Sequence, residues 1–444
     1  MLTPDEARAR AEELVHSAVK AGASAADAVY RCDASTQVQV RLGALEDVAR
    51  SEGEDISLRV FVGQHSASVS SSSMNRDVLA KLAERAVAMA REAPEDPYAG
   101  LAPADMLLTG ALPDVQADDG GDPDPAFLKE RALAAEAAAR AVKGVTNSEG
   151  AGASAGRSVG ALATSTGFSA AVSSSHYALS ASVLAGEQGA MERDHDYRVA
   201  RHLADLDSAE AIGLRAGERA VARLNPVPVK SGAMPIVFDP RVGGSLIGHF
   251  LGAISGPAIA RRTSFLLDAL DTLVFDPSIT IIDDPLRPRA QRSRSFDGEG
   301  LPTAPTRLID AGRLTGWMLD SASARQLGLK PTGHAASGGG ISYSNVHVEP
   351  GAMTLAQLMA DIGTGIYVTE LIGQGVNGVT GDYSRGAGGF LIENGRLGPP
   401  VSEITVAGQL KDMFAAMRAA NDIEWFRAIN VPTLRVDGMT VAGG

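Results

Sequence analysis

The chain has 444 residues, of which 45% are apolar, and its mean hydropathy is +0.01, values typical of a globular protein with large cores. Its 40 basic and 53 acidic residues give a net charge of −13, which disfavours nucleic acid as a partner because phosphate binding depends on Lys and Arg. The single cysteine, Cys32, excludes an internal disulfide and a cysteine-based zinc cluster, and it fits a reducing compartment.

The first hundred residues predict two helices on either side of a group of strands. Residues 4–22 are amphipathic, with a proline near the start and a glycine at the end, and residues 76–92 return to the same helical period. Strands are predicted at 28–40 and 56–62, with turn signals in the segment between them. The serine-rich stretch 65–74 is interpreted as an edge strand or its loop.

The next part of the chain contains a connection, two helices and several strands. The acidic segment 94–125 is rich in proline and glycine, which is typical of a surface connection. Helices are predicted at 126–143 and 207–224, and Asp207 with Glu210 has the spacing of a capping box. Short strands are predicted at 145–148, 159–168 and 170–184.

The second half of the chain is rich in Gly, Val and Ile, and strands dominate it. Long helices are predicted only at 241–252 and 408–420. Strands are predicted at 234–238, 279–283, 345–349, 366–372 and 389–394.

Together these elements predict an α+β fold, in which an N-terminal α+β region of helices and antiparallel strands is followed by a strand-dominated C-terminal domain. We assign residues 1–100 to an N-terminal α+β domain, 101–228 to a linker and middle α+β region that completes the N-terminal half, and 229–444 to a β-rich C-terminal domain. The longest run without a formally charged residue, 246–260, is too short to span a bilayer, and the acidic N-terminus is unlike a signal peptide. We therefore expect a cytoplasmic protein with no membrane segment.

The predicted helix 241–252 has an unusual glycine pattern. Glycines at 244, 248, 252 and 256 are each four residues apart, so they would form one stripe on a helix. Each interior glycine costs a helix about 1 kcal/mol relative to alanine, so we expect another part of the backbone to pack against the stripe. His249 lies in the same segment, but a lone imidazole cannot hold zinc, which needs three or four protein donors.

Several other patterns suggest chemistry but lack the required context. The stretch GQGVNG at 373–378 matches a dinucleotide-binding fingerprint, yet no helix is predicted after it. The stretch GGSLIG at 243–248 does not match the G-x-S-x-G pattern of a nucleophile elbow, because its last glycine stands one position too late. The acidic pairs Asp283–Asp284 and Asp297–Glu299 are flanked by Pro or Gly, which favours turns. An arginine-rich arm is interpreted as a solvated loop, with a role in gripping peptide carboxylates or carbonyls as the alternative; it comprises Arg287, Arg289, Arg292 and Arg294.

The last third of the chain contains five long blocks in a characteristic order: FDGEGLPT (296–303), GRLTGWMLDSASARQLGLKPTGHA (312–335), GIYVTELIGQGVNGVTGDYSRGAGGFLIENG (365–395), PVSEITVAGQLKDMF (400–414) and VPTLRVDGMTVAGG (431–444). In sequence and order these blocks resemble the PmbA/TldE branch of the TldD/PmbA metalloprotease family. The N-terminal stretches RLGALEDVARSE and LRVFVG are similar to the first domain of that family, so the resemblance covers nearly the whole chain.

The resemblance implies a degenerate metal site. The metal helix of the TldD branch reads H-E-x-x-x-H, and a cysteine late in the chain supplies a further ligand. Aligned with this sequence, the first histidine falls at Gly244, the glutamate at Ser245 and the second histidine at His249. Because Gly244 has no ligand, Ser245 is no base at neutral pH and the late cysteine is missing, we expect no catalytic residue and no metal in this chain.

The resemblance also implies a partnership. A TldD-like subunit would bring the zinc and the chemistry, and this chain would be a non-catalytic TldE-like subunit of a heterodimeric metalloprotease that processes or degrades unfolded peptides. Extended peptides could bind by β-addition to exposed strand edges in the second half. Polar residues in glycine-rich stretches are candidates for contact with peptide or partner, with hydrogen-bonded loops as the structural alternative; they are His334, Asn377, Thr380, Asp382, Tyr383 and Arg385.

Two other functions stay open at this stage. One is a self-standing metallopeptidase that recruits its metal through His249, His334 or His347 and the Asp297–Glu299 pair. The other is a non-enzymatic scaffold or regulator that binds other proteins without any peptidase. Zinc content separates the first from a silent subunit, and copurification with a TldD-like chain would count against the second.

Overall fold

The computed structural model describes residues 1–187 and 189–443 of the chain. The helices are α1 (Pro4–Lys20), α2 (Arg76–Glu92), α3 (Pro125–Arg140), α4 (Ala209–Ala222), α5 (Pro240–Ala253), α6 (Gly256–Ala260), α7 (Ser321–Leu327), α8 (Leu355–Met359) and α9 (Leu410–Ala415). The strands of the first half are β1 (Ala25–Arg41), β2 (Ala44–Val62), β3 (His65–Ser71), β4 (Val145–Thr164), β5 (Ser169–Ala185) and β6 (Glu192–Ala200). The strands of the second half are β7 (Gly232–Phe238), β8 (Ile281–Asp283), β9 (Thr306–Asp310), β10 (Arg313–Leu314), β11 (Val346–Val348), β12 (Thr364–Ile372), β13 (Asp382–Glu393), β14 (Arg396–Gln409), β15 (Met417–Ala419), β16 (Ile429–Asn430) and β17 (Leu434–Ala442).

The first half is one antiparallel sheet with four helices on one face. The strand order is β3-β2-β1-β4-β5-β6, so β1 from the first hundred residues pairs directly with β4 from the middle region. Tyr30 packs with α1 and α2, and Val38 packs with α3 and α4. These two residues are separated by an even number of positions on β1, so both helix pairs lie on the same face of the sheet.

The second half contains a barrel and a smaller sheet. The order β14-β13-β12-β7-β17-β15 is closed by additional pairing of β14 with β17, and α5 packs against this barrel. The smaller sheet has the order β10-β9-β8-β11-β16. The predicted α+β fold with a strand-rich second half is therefore confirmed. Among the described helices, none is both long and apolar enough to cross a membrane.

Closure of the barrel bears on the strand edges that were considered for peptide binding. Thr405, Val406 and Ala407 of β14 pair with β17, so the largest sheet of the second half closes on itself. A closed sheet has its backbone groups paired on both sides, so strand edges for β-addition must lie outside the closed part of the barrel.

Several predicted elements have different bounds in the structure. The segment 44–55, predicted as turns, is the exposed start of β2, and the hairpin turns at Leu42 and Gly43, which both have positive φ. The predicted strand at 145–148 and residues 159–164 of the strand predicted at 159–168 are parts of the long strand β4, and residues 165–168 form the turn before β5. These stretches are polar or rich in small residues, so they lack the apolar alternation that marks a half-buried strand.

Two helix predictions were also wrong in detail. The helix predicted at 408–420 is only α9, because Met417 and Ala419 pair with β17 instead of continuing the helix. The N-cap of α4 is Ser208, whose side chain accepts a hydrogen bond from the amide of Ala211, and not the predicted Asp207. The carboxylate of Asp207 instead pairs with Arg215 at 2.6 Å.

The segment 94–125, predicted as a surface connection, is partly buried between the two halves. Leu107, Leu108 and Leu112 pack with Phe168 of the first half and Phe296 of the second. The amide of Leu108 also donates to the carbonyl of Gly300 at 2.9 Å. The connection therefore forms part of the contact between the halves.

Candidate functional site

Helix α5 begins at a well-anchored N-terminus beside the barrel. The side chain of Asp239 caps the helix by accepting a hydrogen bond from the amide of Arg241 at 2.8 Å, and Pro240 occupies the first turn. The other carboxylate oxygen of Asp239 accepts a hydrogen bond from the hydroxyl of Tyr367 on β12 at 2.9 Å. The position of α5 relative to the barrel is therefore fixed at its first turn.

The expected glycine packing is only partly present. A Cβ atom added at Gly244 would lie 3.4 Å from the carbonyl oxygen of Ile429. A Cβ added at Gly248 would lie 3.9 Å from the side chain of the same residue, whereas one added at Gly252 would have no neighbour within 4 Å. The stripe also stops before Gly256, because α5 ends at Ala253. One end of this helix face is thus open.

The residues of this face do not fit a zinc ion. Gly244 offers no donor, and the hydroxyl of Ser245 donates to the carbonyl of Val242 at 2.7 Å within the same helix. His249 is the single imidazole on the face. In residues 1–187 and 189–443 there is no group of three or more His, Cys, Asp or Glu side chains placed to hold a metal. Three or four such donors are the usual requirement for zinc.

His249 instead belongs to a cluster with two residues of β13, which we call the His249 cluster: His249, Tyr383 and Arg385. The rings of His249 and Tyr383 meet edge to face, with centroids 6.1 Å apart. Tyr383 and Arg385 are two positions apart on β13, so they share one face of the strand. Arg385 donates from Nη2 to the carbonyl of Leu371 at 3.3 Å.

The cluster holds polar atoms that the rest of the described chain leaves unpaired. His249 Nε2, the hydroxyl of Tyr383 and Arg385 Nε are buried and have no hydrogen-bond partner among the described residues. The side chain of Tyr383 is 2% exposed. Buried polar groups are nearly always paired, so three unpaired atoms in one cluster are unusual.

The charge of Arg385 acts on both rings. Burial lowers the pKa of His249, and the Arg385 guanidinium lowers it further, so the imidazole is neutral at pH 7. Burial raises the pKa of Tyr383 to about 12, although Arg385 opposes this rise. The cluster therefore offers a neutral imidazole, a hydroxyl and a permanent positive charge.

The remaining predicted residues of the block 365–395, here called the signature block, lie in a self-contained loop at 373–381, the signature loop, and at the first position of β13. The side-chain oxygen of Asn377 accepts hydrogen bonds from the amides of Val379 at 2.9 Å and Thr380 at 3.3 Å. The hydroxyl of Thr380 donates to the carboxylate of Asp382 at 2.5 Å. This arrangement favours the structural alternative for Asn377, Thr380 and Asp382.

His334 is also held by neighbours inside the protein. It is 4% exposed, its Nδ1 lies 2.8 Å from the hydroxyl of Thr332, and its Nε2 lies 3.4 Å from the carboxylate of Asp283. These contacts favour a structural role over the predicted contact with peptide or partner.

The carboxylates considered for a self-standing metal site hold the backbone. Asp297 accepts hydrogen bonds from the amides of Glu299, Leu301 and Ala335, and Glu299 accepts from Ser321. Burial raises the pKa of both carboxyl groups. His347 packs edge to face on Trp425, with centroids 5.1 Å apart, so the three histidines of that hypothesis have different neighbours.

Reasoning from the sequence missed the contact between His249 and β13. The histidine and the signature block were both singled out, but nothing local to either stretch indicates that they meet. Their proximity follows from the packing of α5 on the barrel.

Comparison with known families covers most of the chain. Sequence models of the PmbA/TldA metallopeptidases match the chain in three parts: domain 1 over residues 26–90, the central domain over 118–224 and the C-terminal domain over 231–443.

Individual proteins agree with this assignment. Metalloprotease PmbA of Escherichia coli O157:H7 is 36% identical over 437 residues, which covers 97% of this chain and 96% of that protein. A solved structure of a proposed modulator of DNA gyrase from Bacteroides thetaiotaomicron has a TM-score of 0.92 and 28% identity, with 100% of both chains covered. TldE from Thermococcus kodakarensis has a TM-score of 0.88 and 21% identity over 98% of this chain and 100% of that chain, a likeness in fold alone.

Proposed function

Because the chain belongs to the PmbA/TldD family of metallopeptidases, we propose that it is the non-catalytic, TldE-like subunit of a two-chain enzyme that processes unfolded peptides. The observation that carries this proposal is the α5 face, where Gly244 and Ser245 stand at the positions of the first histidine and the glutamate of the TldD branch, and only His249 keeps its residue. A zinc peptidase needs several protein ligands, an open coordination position and a base.

In this proposal a TldD-like partner holds the zinc and performs the hydrolysis. This chain contributes a surface that binds the extended peptide and keeps it at the shared site. The partner is required because the α5 face offers no donor set of its own among the described residues.

The His249 cluster supports a role in binding peptide. The Arg385 guanidinium has no carboxylate within 4 Å in the described part of the chain, and its Nε has no partner there. The guanidinium of Arg385, which is partly exposed, suits the carbonyl oxygens of an extended peptide or its terminal carboxylate. The loop residues Asn377, Thr380 and Asp382 would position β13 rather than contact the peptide directly.

The test is cleavage of an unstructured peptide by this purified chain, by a TldD-like partner and by their mixture, with zinc quantified in each sample. We expect cleavage only in samples that contain the partner, an increase on mixing, and less than about 0.1 zinc per copy of this chain, since structural and catalytic zinc sites need three or four protein ligands. Chelator-sensitive cleavage by this chain alone would support the self-standing metallopeptidase instead. Failure to bind any TldD-like chain would favour the scaffold.

Variants of the mixture test the cluster. We expect Arg385→Gln to raise KM at least about threefold with little change in kcat, because it removes binding common to the ground state and the transition state. Arg396→Gln removes the same charge from an exposed position at the start of β14 and is the matched control. Equal kinetics for the two variants would exclude the cluster as a peptide contact.

A further inference from the structure

A second polar site lies in the cleft between the two halves. A cavity of about 310 Å³ is bounded by the end of β6 with the loop after it, by the turn at 287–291 and by the segment 425–430. It lies outside the α5 face, and the residues that line it belong neither to the His249 cluster nor to the signature loop. The cavity has a volume near the lower end for sites that bind small molecules.

The lining is strongly basic. Arg201, Arg287, Arg289 and Arg427 line the cavity, and Asp205 is the single acidic residue among them. This concentration stands out in a chain whose net charge is −13. Two of the four arginines in the arm predicted from the sequence, Arg287 and Arg289, line the cavity. The other two, Arg292 and Arg294, donate hydrogen bonds to the loop at 333–344 instead.

The arginines of the cavity are incompletely neutralised. Arg289 lies 3.4 Å from Asp205, and Arg427 lies 3.5 Å from Glu424. Arg201 and Arg287, by contrast, have no carboxylate within 4 Å in the described residues. Arg201 donates to the carbonyls of Ser175 and Gln291, while its Nε is buried without a partner in the described chain.

Burial makes this arrangement unfavourable without a counter-charge. Loss of water contact lowers the pKa of Arg201, and it lowers the pKa of Arg287 despite the charge of Asp284 nearby. Guanidinium groups close to one another repel, and a bound anion would relieve both the repulsion and the loss of hydration.

An aromatic side chain completes one wall. The Arg287 guanidinium lies 3.3 Å from the centroid of the Trp425 ring, and this stacking holds the planar group in place. The Trp425 side chain is 44% exposed. A fixed guanidinium plane presents two parallel N–H donors, the geometry that matches the oxygens of a phosphate or carboxylate.

We propose that this cavity binds a small oxyanion with two or more negative charges, such as a diphosphate or a polycarboxylate. A long polyanion such as nucleic acid is disfavoured, because the net charge of −13 repels it outside the cleft. Since the cavity touches both halves, the anion would also stabilise their contact. This site is independent of the proposed peptidase role.

The experiment follows Trp425 fluorescence in the full chain. The sequence has two tryptophans, and the other, Trp317, is 8% exposed and belongs to the core of the second half. Sodium pyrophosphate and sodium citrate are titrated separately, with sodium chloride at matched ionic strength as the reference. We expect a saturable change with at least one of the two probes and none with chloride, and a higher melting temperature at saturation.

Comparison of the two probes identifies the anion. Tighter binding of pyrophosphate indicates a phosphate ligand, and tighter binding of citrate indicates a polycarboxylate. We expect Arg287→Gln to weaken binding of the preferred probe at least about tenfold, whereas Arg396→Gln, at an exposed position that does not line the cavity, leaves the affinity unchanged.

A change no larger than that with chloride would overturn the proposal, as would equal affinity in Arg287→Gln and in the unaltered chain. Circular dichroism checks that the variant is folded. The comparison of pyrophosphate and citrate with chloride needs no variant, so a misfolded variant does not weaken the test. Peptide cleavage by the two-chain mixture is measured separately, because the two proposals concern different surfaces.

Discussion

At the scale of single residues, the His249 cluster combines a conventional core position with unpaired polar atoms. The ring of Tyr383 packs in the core of the second half, but its hydroxyl has no partner among the described residues. Such a hydroxyl weakens folding, because its hydrogen bonds to water in the unfolded chain are not replaced. The ring and the hydroxyl of Tyr383 therefore have opposite effects on stability.

Tyr383→Phe tests the state of this hydroxyl. We expect the free energy of unfolding to rise by about 1 kcal/mol, because the substitution removes an unpaired buried group and keeps the ring. The matched control is Tyr177→Phe, because the hydroxyl of Tyr177 donates to Asp119 at 2.6 Å and its loss should lower the free energy of unfolding by about 1–2 kcal/mol. Urea denaturation measures both. A loss of stability in Tyr383→Phe would mean that the hydroxyl is paired in solution.

A second residue-scale feature is the buried carboxylate of Asp196 on β6. It pairs with Arg215 and Arg219 of α4 at 2.7 and 2.6 Å and with Arg198 at 3.0 Å. Burial raises the pKa of Asp196, but the hydrogen bond from Arg215 and the charges of Arg219 and Arg198 outweigh this and lower it. The ionised carboxylate therefore stabilises the attachment of α4 to β6.

The lowered pKa of Asp196 predicts sensitivity to acid. A carboxyl group whose folded pKa is below its unfolded value of about 3.9 stabilises the fold above that pH, and the stabilisation is lost as the pH falls towards the folded pKa. We expect the free energy of unfolding to fall below about pH 4, and less steeply in Asp196→Asn. At pH 7 Asp196→Asn should cost about 3–5 kcal/mol, because it leaves arginines unpaired. Equal acid profiles for the two proteins, measured by urea denaturation, would contradict this role.

At the scale of elements, glycines act in opposite ways on α4 and α5. On α4 a side chain at Gly213 would overlap the carbonyl oxygen of Ala135, and one at Gly217 would meet Ala139, so these glycines let α3 approach closely. On α5 Gly252 is exposed, and a Cβ there would have no neighbour within 4 Å. The same residue type thus serves helix packing in one place and leaves a surface open in the other.

Two alanine substitutions separate these roles. Gly252→Ala should raise the free energy of unfolding by up to about 1 kcal/mol, because alanine has the higher helix propensity and meets no neighbour. Gly213→Ala gains the same propensity, but we expect a net loss of about 1–3 kcal/mol because the new methyl group overlaps the α3 backbone. Thermal or urea unfolding of the pair checks the contrast. Equal gains in both variants would show that α3 moves away without cost.

At the scale of the whole molecule, buried ion pairs join the two halves. Asp194 on β6 pairs with Arg241 on α5 at 3.0 Å and with Arg223 at 3.9 Å, and Arg223 also pairs with Glu370 on β12 at 2.5 Å. The side chain of Asp194 is 5% exposed. These pairs run from the first sheet to the helix that carries the candidate site, so they set the position of α5 relative to the first half.

Asp194→Asn should loosen the contact between the halves. We expect a loss of about 3 kcal/mol in the free energy of unfolding, because Arg241 loses a buried partner. We also expect faster cleavage by a protease in the joint at 225–231. Asp310→Asn is the control, because its ion pair with Arg307 has side chains about 55% exposed and should contribute less than about 1 kcal/mol. Similar small effects in both variants would mean that other contacts hold the halves together.

The sequence by itself determined the features with local signals. The apolar period over 76–92 coincides with α2, and the helix predicted at 241–252 lies within α5. The ordered blocks of the last third indicated the family, and the alignment of Gly244, Ser245 and His249 showed that one of the three metal-helix positions keeps its residue. These inferences succeed because helical period and residue identity are properties of adjacent positions.

Only the tertiary structure decided which distant residues meet. Closure of β14 on β17, the contact of His249 with Tyr383 and the arginine-lined cavity each join segments that are far apart in the chain. Arg287 was assigned to a solvated loop as one of four arginines in a basic arm, but its position in the cleft depends on Trp425. Long-range strand pairing and packing have no signature in either segment alone, so the site could be located on its helix but not assembled from the sequence.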